Sequence, residues 1–389
     1  MLIDIFSDFA SGDVFRNFVY DFLYFPVVIQ IAVVFIFIAI GFTSFAYISI
    51  LYRRFQGHRH DMKLARINPR IDHLLTENVV LNDGILMELP LDQIDVDFSD
   101  FKAPLFKKRW VRQALIDRMI SYKRNFTGAI GDLLRIVYME LELDKDSFRK
   151  LKSPRWDRKV QALVELTSMD MSIADVNVLP LTNSKTRELR AAARHAYIKL
   201  SKNEPFKFFD VATEPLLMWD QIELFKIITS TKDIAIPNFA RWVTYSTNKS
   251  VISFCLKLIV YYNQQAAVPA VIKLIDTKDH YLRADAINCV GKMKIEEVED
   301  KLVSIYNNQP VNCQIEILKA IGRIESGKYI QFLRQEFLNG TDFELRKNAA
   351  RSLIKNEWMA KDLIQELMET STPENLLILK HCMNPLIKF

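Results

Sequence analysis

The sequence predicts an all-α protein, with a single N-terminal transmembrane helix followed by a helical-repeat solenoid. Three observations carry this. From Phe22 to Tyr52 there is no Asp, Glu, Lys or Arg. From Ala162 onward, apolar residues recur every 31 residues. Glycine is scarce, 10 in 389 residues, which argues against a turn-rich β fold.

A helix needs roughly 20 apolar residues to cross the hydrocarbon core. Residues 22–52 suffice, with room for tilt. Tyr20, Tyr24, Tyr47 and Tyr52 lie near the ends, where interfacial aromatics collect. Residues 1–21 carry Asp4, Asp8, Asp13 and Asp21 against Arg16 alone. They lack the basic start of a secretory signal, so the helix is expected to be retained. Val14, Phe15, Phe18 and Val19 either extend the helix or lie in the outer interface.

Just after the span come Arg53, Arg54, Arg59, Lys63, Arg66 and Arg70. Lys and Arg stay on the cytoplasmic side. Residues 1–21 are therefore expected outside and the rest of the chain in the cytoplasm, at a plasma membrane. The same cluster has a second reading: anionic headgroups attract such residues at roughly 1 kcal/mol each.

Residues 53–103 form a basic juxtamembrane segment and an acidic linker. Between 74 and 101 stand Glu77, Asp83, Glu88, Asp92, Asp95, Asp97 and Asp100, with no Lys or Arg. Asn82-Asp83-Gly84 between two apolar runs suits a small hairpin. An acidic linker is repelled by an anionic surface, and would hold the following domain away from it.

From 104 to 389 the pattern is helical. Trp110, Val111, Leu115 and Met119 mark one inward face, and Ile130, Leu133, Leu134, Val137 and Leu141 the next. A column then runs Ala162, Ala193, Leu224, Cys255, Ala286 and Ile317. Four residues on, a second runs Leu166, Tyr197, Ile228, Ile259, Val290 and Ile321. One longer step reaches Ala349 and Leu353. Positions four apart share a helix face, and a fixed period in this range marks stacked repeats. Each unit has room for two helices. Pro205, Pro237 and Pro269 are expected to open second helices, with Phe209, Val211, Trp242, Val243, Leu274 and Ile275 inward.

Leu189-Arg-Ala-Ala-Ala193 returns as Leu282-Arg-Ala-Asp-Ala286. With Asp279 before Arg283, and Asp342 before Arg346, this resembles the HEAT-repeat (armadillo-like) family over roughly 104–384. Leu143-Asp-Lys-Asp-Ser147 through Trp156, with Ala162-Leu-Val-Glu-Leu166, is similar to membrane-anchored bacterial HEAT proteins. The resemblance implies an Asp/Arg ladder between repeats and a concave face that binds protein segments. It also implies a place in an envelope polysaccharide synthesis or export system. Physically, Asp279 and Asp342 can cap helices. Arg283 and Arg346 can pair with them and with the preceding repeat.

No catalytic motif is present: no P-loop, GxGxxG, GxSxG or HExxH. Cys255, Cys289, Cys313 and Cys382 have no CxxC spacing and read as free thiols of a reducing cytoplasm. No metal, cofactor or small-molecule substrate is expected. A net charge of +5, with no aligned basic stripe, gives no case for nucleic acid. Aromatics concentrate between 216 and 262, where the Asp and Arg of the motif are missing. Trp219, Phe239, Trp242, Tyr245, Tyr261 and Tyr262 are the candidate partner-binding residues, with ordinary helix packing as the other reading. The expected function is a membrane-anchored cytoplasmic scaffold for a protein partner. The alternatives are a HEAT-like enzyme, either a lyase or nucleic-acid-acting, and a lipid-binding module.

Overall fold

The computed structural model describes residues 22, 24–173, 175–201, 204–231, 234–384 and 386. The N-terminal segment 1–21, with its aspartates and aromatics, lies outside the described residues, as do Leu23, Pro385 and 387–389. Regular structure among the described residues is entirely helical. The chain forms two compact units, Met1–Leu134 and Arg135–Phe389.

In the first unit, α1 (Val27–Leu75) is one continuous helix of 49 residues. At 1.5 Å per residue it is about 73 Å long. Its N-terminal part is long and apolar enough to cross a membrane, and none of that stretch is buried among the described residues. The basic residues Arg53 to Arg70 continue the same helix. Burial begins at Ile67 and continues through Ile71, Leu74 and Leu75. This end packs on α3 (Arg109–Asn125), where, of the four residues expected inward, Val111, Leu115 and Met119 are buried and Trp110 is half-buried. Arg118 pairs with Asp72 at 2.6 Å, and the Tyr122 hydroxyl lies 3.1 Å from Thr76 Oγ1.

The hairpin expected at 82–84 does not form. Its turn needs positive φ at both central residues, and neither Asp83 nor Gly84 has it. Instead, Asn82 Oδ1 accepts from Gly84 N at 2.9 Å and caps a single helical turn, α2 (Asp83–Leu86). Asn82 Nδ2 also donates to the Asp95 carbonyl. Helix α4 (Ala129–Glu140) contributes to both units.

In the second unit, α5 (Leu143–Leu151) precedes a run of longer helices separated by helices that are mostly shorter, the last of which has 14 residues. The long helices are α6 (Trp156–Ser168), α8 (Arg187–Leu200), α10 (Met218–Ser230), α12 (Lys249–Tyr261), α14 (His280–Lys292), α16 (Val311–Ile324), α18 (Phe343–Lys355) and α20 (Pro373–Met383). Between them stand α7 (Asp175–Val178), α9 (Phe208–Val211), α11 (Ala240–Tyr245), α13 (Val268–Leu274), α15 (Glu299–Ile305), α17 (Ile330–Asn339) and α19 (Glu357–Thr370). Long helices pack on one another in two runs, α6 on α8 and α8 on α10, then α12 on α14, α14 on α16, α16 on α18 and α18 on α20. Between the runs, α10 meets α12 through side chains, Phe225 against Tyr261 and Lys257 to Gln221. Every residue of both 31-residue columns, from Ala162 to Leu353, is buried.

The turns differ from expectation. Of Pro205, Pro237 and Pro269, only Pro269 lies in the first turn of a helix, α13. Pro205 and Pro237 stand two residues ahead of the N-caps Lys207 and Phe239. Helix α9 is a single turn, so Val211 at its end is exposed, while Phe209 is buried. Asp279 accepts from the backbone N–H groups of Tyr281 and Leu282, and Asp342 from those of Glu344 and Leu345. These caps are as expected. The arginines, however, face the following repeat. Arg283 donates to the Thr277 carbonyl and to Gln309, and Arg346 to Glu374 and Asn375. It is Asp279 that reaches back, to Lys249 at 2.6 Å. The cap bonds hold the Asp279 carboxylate at the helix N-terminus within reach of Lys249, while the Arg283 guanidinium is taken up by the Thr277 carbonyl and Gln309.

Candidate functional site

The aromatic candidates separate by burial. Phe239 and Trp242 are core residues, packed with Phe206 and Phe209. Trp242 donates its indole N–H to Asp210 at 2.7 Å. These two are therefore withdrawn from any docking surface. Tyr262 is half-buried beside Phe239. Trp219, Tyr245 and Tyr261 are 59%, 80% and 54% exposed. Tyr261 packs edge-on against Phe225. Trp219 belongs to an exposed apolar ridge at the start of α10, with Met218 and Ile222 on the helix and Leu217 just before it, and its N–H is held by Glu223 at 2.7 Å.

In the first unit, Arg53, Arg54, Arg59, Lys63, Arg66 and Arg70 are all exposed on α1. Arg59, Lys63, Arg66 and Arg70 are spaced by four, three and four, which places them along one stripe. The Arg59 guanidinium stacks 4.3 Å over the Phe55 ring.

Beside the α10 ridge lies a feature that apolar periodicity alone misses. A cleft of about 430 Å³ separates α8 from α10. Its cations are Arg187, Arg190, Arg194 and Lys226, with His195, against the carboxylates Asp220 and Glu223. Ala191, Ala192, Leu224 and Ile227 supply apolar lining. Arg194 is 2% exposed and Arg190 8%. Arg194 Nε donates to the Thr182 carbonyl at 3.1 Å, and Arg190 Nη1 to the Ser184 carbonyl at 2.7 Å. Arg194 Nη2 and Arg190 Nε have no hydrogen-bond partner among the described residues. Burial, and secondarily the charge of Arg190, lower the Arg194 pKa to about 10. His195 is held below its usual value by burial of its ring and by Lys199, although more than a third of the residue stays exposed. The nearest ion pair is a long one, Arg187 to Asp220 at 4.0 Å.

The same ruler also aligns charge. Two and six residues after the first column stand Lys226, Lys257, Lys319 and Arg351, and Lys199, Lys292, Arg323 and Lys355. Contrary to the expectation of no aligned stripe, basic residues thus share one face of the long helices. A second cleft is lined by Lys319, Arg323, Lys347, Arg351 and Lys355. Burial first, then Arg323 and Arg351, lower the Lys355 pKa.

Among the described residues no His, Cys, Asp or Glu group could hold a metal. Cys255, Cys289 and Cys313 are buried, Cys382 is half-buried, and all four are free. Burial raises the Cys289 pKa to about 12, so it is a poor nucleophile at neutral pH. Comparison with models of known protein families finds no match, and comparison with curated proteins finds none either.

Proposed function

We propose that the chain is a membrane-anchored scaffold whose cytoplasmic, HEAT-type solenoid holds a protein partner. The anchor is the apolar part of α1, and Arg53 to Arg70 fix the second unit on the cytoplasmic side. The burial of both 31-residue columns and the packing of successive long helices within the runs α6 to α10 and α12 to α20 support a solenoid. The observation that carries the partner reading is the α10 ridge. Leu217, Met218, Trp219 and Ile222 are large apolar residues exposed together, beside a charged cleft. Clustered exposed apolar groups of this kind mark interaction surfaces. Tethering raises the partner's effective concentration at the membrane. On the resemblance to membrane-anchored bacterial HEAT proteins, we propose that the partner belongs to an envelope machine such as one for polysaccharide synthesis or export.

A topology-reporter fusion after Phe389 tests the arrangement in cells. The scaffold reading requires a cytoplasmic signal and a chain that resists alkaline extraction from membranes. A periplasmic signal would exclude it. The stripe Arg59, Lys63, Arg66 and Arg70 favours a second role, in headgroup binding. That role requires binding to anionic vesicles that weakens steeply with salt.

A further inference from the structure

The repeat ruler singles out Arg194. Its column, one residue after the first, reads Leu163, Phe225, Leu256, Ile287, Leu318 and Ala350 in the other repeats. Leu163, Leu256, Ile287, Leu318 and Ala350 are all buried. The fold therefore asks for an apolar side chain where Arg194 stands. A buried charge is costly unless paired, and Arg194 Nη2 has no partner among the described residues.

Arg190 tells the same story by a different comparison. Arg283 and Arg346 hold the same register, three residues before the first column. Both donate to side chains of the following repeat. Arg190 donates to the Ser184 carbonyl, as Arg283 does to that of Thr277, but makes no hydrogen bond to the following repeat among the described residues. Arg187, Arg190 and Arg194 are spaced by three and four, on one face of α8, and all line the cleft toward α10.

We propose that this cleft is a binding site for a phosphate monoester, held by Arg190 and Arg194 with Arg187 and Lys226 at its rim. The charge balance selects the ligand. Four permanent cations against Asp220 and Glu223 leave a charge of +2, and a phosphate monoester carries about −1.5 to −2 at neutral pH. Guanidinium groups donate to phosphate oxygens in a fork geometry that suits two at once. The cleft volume, about 430 Å³, falls in the range of small-ligand sites. Ala191, Ala192, Leu224 and Ile227 can cover the organic part of the ester. The ester can belong to a free metabolite or to a phosphorylated side chain. The inference stands independently of the scaffold reading.

The test uses the full chain in lipid nanodiscs and calorimetric titration with phenyl phosphate, and with a phosphoserine peptide beside its unphosphorylated form. The wild type should bind phenyl phosphate or the phosphopeptide saturably, and whichever binds more tightly assigns the source. Arg194→Met should weaken binding about 10- to 100-fold, the range for hydrogen bonds to charged groups. It should leave the ligand-free Tm unchanged or higher, because methionine suits an apolar column. Lys361→Met, an exposed position on α19, should bind as wild type does. Should Arg194→Met not fold, the half-exposed Arg187→Met reports instead, with weaker binding expected. Absence of saturable binding at millimolar ligand overturns the proposal. So does equal binding by the folded Arg194→Met and Lys361→Met variants.

Discussion

Gly291 on α14 lies against Ala320 on α16, so closely that a Cβ on Gly291 would stand 2.6 Å from the Ala320 Cα. Gly322, one repeat later, meets Ser352 in the same way, with a Cβ 2.6 Å from the Ser352 Cβ. These contacts set the approach of three consecutive long helices. Gly291→Ala gains helix propensity but overpacks against backbone, which costs about 1–3 kcal/mol. A lower Tm in a thermal melt is expected, and a rise would show that the helices can separate freely.

Asp279 joins two repeats as both cap and ion-pair partner of Lys249. Asp279→Ala loses a cap worth about 1 kcal/mol as well as that tie. The hydrogen bond from Lys249, then those from Leu282 and Tyr281, lower the Asp279 pKa from 3.8. Its contribution is therefore full above about pH 4 and lost as the pH falls through the lowered folded value. Melts of wild type and variant should converge at low pH and diverge at pH 7.

Much of this was legible. The columns from Ala162 to Leu353 were readable because a helix face repeats its apolar residues and each repeat buries the same positions. Residues 82–84 were not, since Asn82 can cap a helical turn as readily as begin a hairpin, and only the surroundings choose. Phe239 and Trp242 looked like a binding patch because aromatic composition says nothing of burial. Arg194 was findable with the same ruler that found the columns, had it been read for the exception rather than the rule.

Glu165 is buried with Lys150 at 2.6 Å and with Ser147, which also meets the Tyr138 hydroxyl at 2.7 Å. Lys150→Met leaves that carboxylate without its lysine and should cost about 3–5 kcal/mol. Lys150→Met combined with Glu165→Leu should recover much of the loss. Denaturant titration of the single and double variants decides, and equal loss in both would refute coupling.

Glu299 is buried beside Ser326, which donates to Glu299 Oε2 at 2.6 Å. Burial, chiefly, raises its pKa above 4.5. A carboxyl with a raised folded pKa favours folding below the unfolded value and loses that as the pH rises through the folded one. Glu299→Gln should thus raise the Tm at pH 7, by about 2–4 °C for each kcal/mol recovered, and change it little at pH 4. An equal shift at both pH values would remove the electrostatic cause.

The most direct test of the scaffold is site-specific photo-crosslinking in cells, with the probe at Trp219 on the α10 ridge and, separately, at Lys361 on α19. A scaffold that docks its partner on this ridge gives a reproducible protein adduct from position 219, absent from position 361 and reduced by Met218→Asp. Adducts of equal identity and yield from both positions, or none from position 219, would contradict it.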